Sequence, residues 1–118
     1  MGILATAATF DAPYVLYCHR STASKLGFTE EQVEDAMSGR TPKAISEEEK
    51  VSYETALILA RDRKPLEDKD FDRAEKILGR AGVAGLANVV AAYLYVCILV
   101  SVAGPKPGGF GDCEDRSV

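Results

Sequence analysis

The sequence predicts an all-α fold of about six helices. Three observations carry that expectation. Apolar residues recur at helical spacing in nearly every segment, two capping boxes mark helix starts, and no stretch alternates apolar and polar residues as a half-buried strand would. At 118 residues the chain has room for one domain with one core. That domain is expected over residues 1–104, with 105–118 a Pro/Gly-rich, then acidic, disordered tail.

Residues 2–10 are apolar and alanine-rich and read as the end of a helix whose beginning is absent. Asp11-Ala12-Pro13 makes a turn into a second helix over 13–26. Pro13 suits the first turn, where a missing N–H costs nothing, and Gly27 suits the position after the end, where φ turns positive. Thr29 caps a third helix, with Gln32 completing the capping box, and that helix ends near Ser38 and Gly39. Residues 40–45 form a loop containing Pro42.

Ser46 with Glu49 opens a fourth helix, supported by Val51, Ala56, Leu57, Leu59 and Ala60 as far as about Arg63, and Lys64-Pro65 stops it. A fifth starts at Asp68 or Asp70 and shows the apolar stripe Phe71, Ala74, Ile77, Leu78. Residues 79–82 form a turn, and the last helix covers 83–103.

Charge and composition exclude several classes. A formal charge of −4, with no basic run, argues against nucleic-acid or anionic-membrane partners. The cysteines Cys18, Cys97 and Cys113 are odd in number and lack framework spacing, and no charged-then-apolar leader precedes them. The expected setting is a reducing cytoplasm with free thiols. A single histidine with scattered cysteines makes no zinc site, and no metal or organic cofactor is implied. Residues 81–104 run 24 positions without a charge, long enough to cross a bilayer. Asn88, Ser101, several glycines and much alanine, with no flanking Lys/Arg cluster, favour instead the central helix of a soluble bundle or oligomer and no membrane span.

The candidate site centres on His19. Leu16, His19, Ala23 and Leu26 share one apolar helix face, Val15 borders it, and Cys18 lies about 100° round, next to Tyr14. His19 is therefore expected to point inward. An imidazole, with an ordinary pKa of ~6.5, serves as acid or base, and burial without a carboxylate keeps it neutral. The plain alternative is a core histidine bonded to a carbonyl or a tyrosine. Cys18 would be activated if a cationic His19 reached its sulfur, although adjacent helix residues diverge. Arg20 points about 100° away from His19, and Lys25, Arg40 and Lys43 are the other nearby cations. Tyr14, Tyr17, Tyr93 and Tyr95 read as core or pocket lining, with one able to meet His19. Cys97 reads as buried and structural, Cys113 as an incidental exposed thiol.

The ordered set of segments carries a resemblance. An apolar helix is followed by Tyr14-x-x-Tyr17-Cys18-His19, then Ala23-x-Lys25-x-Gly27-Phe28-Thr29-x-Glu31-x-Val33-Glu34. Ser46-Glu-Glu-Glu49 then opens a helix, and Phe71-x-x-Ala74 precedes a long apolar helix. From about Ile3 to Ala103 this resembles the carboxymuconolactone decarboxylase-like family of the alkylhydroperoxidase-D-like superfamily. The resemblance implies a helical bundle of that type, assembled as homotrimers or homohexamers with sites near subunit contacts, and a packed, soluble last helix. It also implies one of two chemistries, decarboxylation of a carboxylated muconolactone in aromatic-acid catabolism or peroxide reduction by a Cys-x-x-Cys pair. Only His19 carries over residue by residue; Cys18 beside it is the second catalytic candidate, and Tyr14, Val15, Arg20 and Tyr93 are the substrate-binding candidates, for a small anionic organic acid or lactone.

The chain departs from the pattern in telling places. Neither Val15 nor Ser21 supplies a second thiol for Cys18, so a dithiol peroxidase is not expected. Val15 and Leu16 stand where the decarboxylases often carry Glu-Trp, Gly85 where a glutamate often opens the last helix, and Ser101 near a customary asparagine. The family usually carries more helical sequence ahead of the start of this chain. The expected reading is a lyase-like enzyme with His19 as acid/base. Its alternatives are a catalytically degenerate oligomeric member and a single-cysteine redox protein.

Overall fold

The computed structural model describes residues 1–10 and 13–103. The Asp11-Ala12 turn and the tail from residue 104, with Cys113, lie outside the described residues. Five α-helices follow one another: α1 Gly2–Phe10, α2 Pro13–Lys25, α3 Glu30–Met37, α4 Glu47–Leu57 and α5 Asp68–Ala103. A π-helical turn, Ile58–Asp62, continues α4 directly. Among the described residues there is no strand.

The local signals shape the elements as expected. Thr29 accepts from the Gln32 N–H while the Gln32 side chain accepts from the Thr29 N–H, and Ser46 and Glu49 repeat the arrangement at the start of α4. Gly27 (φ +94°) and Gly39 (φ +78°) take the left-handed conformation just beyond α2 and α3. The Gln32 amide also donates to the carbonyls of Lys43 and Ala44, which folds the loop after α3 back onto that helix.

Two expectations about helix continuity are corrected. The fourth helix does not stay α-helical to Arg63. Its last turn widens to π geometry and closes at Arg63 in the left-handed region, φ +50°. The four-residue turn at 79–82 is a one-residue break. Gly79 alone is non-helical (φ 73°, ψ 167°), and helix resumes at once, so α5 consists of an N-terminal arm up to Leu78 and a C-terminal arm from Arg80.

α1 is the centre of the bundle, in contact with α2, α3, α4, α5 and the π turn. Its run Leu4, Ala5, Thr6, Ala7 is buried. Small residues allow the close approach, since a Cβ on Gly2 would stand 2.9 Å from Leu86 Cδ1 of α5. The buried Thr6 hydroxyl donates to the Gly2 carbonyl at 2.8 Å, so it enters the core without an orphaned polar atom. Around Leu4 and Ala5 gather Ala23, Val33, Ala36, Tyr53, Ala56, Leu57, Ala60 and Val90. Each fully buried valine or leucine here contributes about 1.5–3 kcal/mol.

Tyr53 is wholly buried, and its hydroxyl donates to the Ala36 carbonyl at 2.8 Å, joining α4 to α3. Arg73 bonds Glu54 at 2.6 Å and fixes the N-terminal arm of α5 on α4.

The C-terminal arm of α5 departs most from expectation. It is not a core helix buried all round. Of its apolar eighteen-residue window, 17% is buried within the chain. Val90 and Cys97 face inward, while Tyr95, Ile98, Leu99 and Val102 are exposed. By length and composition α5 meets the criterion for crossing a membrane.

Candidate functional site around His19

α2 meets the bundle along Val15 and Ala23, its two buried residues. The expected face is rotated by this. Val15 is at its centre, and Leu26 is 73% exposed because α2 ends at Lys25 and the chain turns at Gly27. Val15 packs with Ala7 of α1 and Cys97 of α5 in a small second core, bordered by Phe10, Leu16, Tyr93, Val96 and Val100.

His19 lies one turn beyond Val15 and is half-buried. Its ring stands edge-on to Tyr93, with centroids 5.3 Å apart and planes at 77°. The imidazole pKa is lowered, first by burial and then by the positive N-terminal ammonium. Among the described residues no carboxylate pairs with it. The ring is therefore neutral at pH 7, with one nitrogen able to accept a proton.

Of the other candidates, Tyr93 is brought to His19, and Val15 lies in the small apolar core that Tyr93 packs against. Tyr14 is half-buried on the same helix and has a partner of its own. Arg20 turns away, pairing with Glu30 and Glu34 across the α2–α3 turn. Glu30 and Glu34, one helical turn apart at the start of α3, were its available signal. Arg40 likewise pairs with Asp35 at 2.9 Å. Cys18 is disulfide-bonded, which departs from the expected free thiol and removes the thiolate a redox role needs. Cys97 is buried and free, and burial pushes its thiol pKa up, as an inert structural cysteine requires. Tyr95, expected as lining, is 65% exposed on the outside of α5.

A cleft of about 590 Å³ opens elsewhere, lined by Met1, Leu26, Phe28, Leu86 and Val89 with Glu48 and Glu49 among its walls, and His19 is not part of it. Among the described residues no three of His, Cys, Asp and Glu gather as metal ligands. Gly85 lies exposed on α5, and a Cβ there would meet no atom within 4 Å. No family model, curated protein or solved structure matches the chain.

Proposed function

We propose that the chain is a homo-oligomer of the carboxymuconolactone decarboxylase-like type, in which His19 is the acid/base for a small anionic organic acid or lactone. The observation that supports it is the half-buried, neutral imidazole in a T-shaped pair with Tyr93, a ring that itself packs on the apolar cluster of Ala7, Val15 and Cys97. An anionic substrate placed beside such a ring raises its pKa, so that the ring takes up a proton as substrate binds. Loss of CO2 then breaks the carbon–carboxylate bond and leaves the electron pair in a dienolate. The imidazolium delivers its proton to that carbon and returns to the neutral form. No metal or organic cofactor enters this scheme.

The test is CO2 release from γ-carboxymuconolactone and related lactone acids by the purified chain, against His19→Gln. Turnover that falls at least about a hundredfold in the variant supports the reading. Turnover unchanged in His19→Gln, or none with any lactone acid, rejects it.

A second reading, an oligomer of this type without catalysis, draws on a separate observation. The cation next to the imidazole, Arg20, is occupied by Glu30 and Glu34 and is not aimed at a substrate carboxylate. Absence of turnover together with a defined oligomer would select it.

A further inference from the structure

The C-terminal arm of α5 carries two seams on opposite sides. The inward one, Leu86, Val90, Tyr93, Cys97 and Val100, packs against the chain's own core. The outward one is Ala84, Asn88, Ala91, Tyr95, Ile98 and Val102, and every member is exposed. Its spacing alternates four and three residues without a fault, the pattern of a helix that packs along another helix. Tyr95, Ile98 and Val102 are 65%, 52% and 84% exposed, too much apolar surface for a seam that meets only water.

The order of sizes says what covers it. Small residues occupy the first half of the seam and large ones the second. Laid antiparallel on a copy of itself about a two-fold axis at residue 93, the seam pairs Ala84 with Val102, Asn88 with Ile98, and Ala91 with Tyr95. Each pair sets a smaller side chain against a larger one, so the helices interdigitate along the whole seam. An antiparallel coil pairs its two seam positions crosswise, and all three pairs obey that rule. A parallel pair would set Ala84 on Ala84 and Tyr95 on Tyr95, leaving a void at one end and crowding at the other. The contact is isologous, the same patch serving both subunits. Asn88 enters with its amide already donating to the Ala84 carbonyl of its own helix at 2.9 Å.

We propose that two copies of this chain associate through an antiparallel pairing of their α5 helices along Ala84, Asn88, Ala91, Tyr95, Ile98 and Val102. The interface is independent of the reading of His19, because Tyr93 and Tyr95 lie roughly 200° apart around the helix. It makes a dimer, or supplies the two-folds of a hexamer, and it does not fit a bare trimer.

The test uses the full chain in analytical ultracentrifugation, with helicity checked by circular dichroism. Ile98→Glu, at a position outside the chain's own core, is expected to weaken the dimer step at least about 30-fold. Adding Asn88→Lys in the same chain restores association, because residue 98 of each copy faces residue 88 of the other. A parallel seam would make that double variant worse. Mixing Ala84→Cys with Val102→Cys chains is expected to give an oxidative cross-link between positions 84 and 102, assigned by mass spectrometry apart from the native cysteines. A monomeric parent chain, a trimer without the 84–102 link, failure of Asn88→Lys to rescue, or flotation with phosphatidylcholine vesicles in place of self-association would each overturn the proposal.

Discussion

The rings of His19 and Tyr93 stand in a T-shaped pair with centroids 5.3 Å apart, and that pair joins the middle of α2 to the C-terminal arm of α5. The chain has one histidine, so its titration is free of overlap. Burial lowers its pKa. The expected NMR titration midpoint therefore lies below the ordinary ~6.5.

The sign of the stability effect follows. Between the folded and unfolded pKa values the unfolded chain binds more protons, so stability falls as pH drops below about 6.5 and is fully present above it. The melting temperature should decline between pH 7.5 and 5.5 more steeply in the parent chain than in His19→Gln. Equal slopes would place the imidazole in solvent.

Tyr53→Phe removes the hydroxyl that donates to Ala36, whose carbonyl keeps only the longer 3.3 Å bond from the Gly39 N–H. The expected loss in urea denaturation is about 0.5–1.5 kcal/mol. Burial, with Asp35 adding to it, pushes the Tyr53 pKa up to about 12. Its phenol stays neutral while an unfolded tyrosine ionises near ~10, so the stability it contributes is present below pH ~10 and lost as pH rises further. Ultraviolet difference titration should show Tyr53 ionising late, as absorbance that is lost in Tyr53→Phe.

Features set by neighbours in sequence are legible in the sequence itself. Both capping boxes and the left-handed glycines after α2 and α3 depend on a few consecutive residues, and each took its expected form. Features set by distant contacts are not. Widening of α4 into a π turn has no local motif, and the exposure of Leu26 depends on where α2 runs out. The C-terminal arm of α5 misled for a different reason. An uncharged run has the same hydrophobic pattern whether chain, copy or lipid covers it, and only packing against the other helices separates its inward seam from its outward one. At the site, the inward turn of His19 was legible from α2 alone, whereas its pairing with Tyr93 and the diversion of Arg20 needed α5 and α3 in place.

Gly79 and Gly85 make a matched test of backbone against packing. A Cβ at either would meet nothing within 4 Å, so space does not distinguish them. Gly79 sits at φ 73°, ψ 167°, a region open in practice to glycine alone, while Gly85 is inside the helix. Gly79→Ala is expected to lower stability by about 1–3 kcal/mol. Gly85→Ala is expected to raise it by about 0.5–1 kcal/mol. Chemical denaturation of the two variants decides, and opposite signs are the requirement.

Arg20 separates a tie between helices from a substrate clamp. Its guanidinium bonds Glu30 and lies 3.7 Å from Glu34, and its pKa is raised by the Glu30 hydrogen bond and charge. The side chains are 42% and 64% exposed, so solvent screens the Arg20–Glu30 pair and its contribution is within about 1 kcal/mol. Arg20→Gln should therefore shift stability by less than that, and less again in 1 M salt, where the parent pair is itself screened. On any lactone acid the chain turns over, the same variant should leave KM unchanged, because the cation faces α3. A rise in KM of tenfold or more with kcat preserved would instead mean that Arg20 leaves Glu30 to hold the substrate carboxylate, a ground-state contact worth ~1.4 kcal/mol.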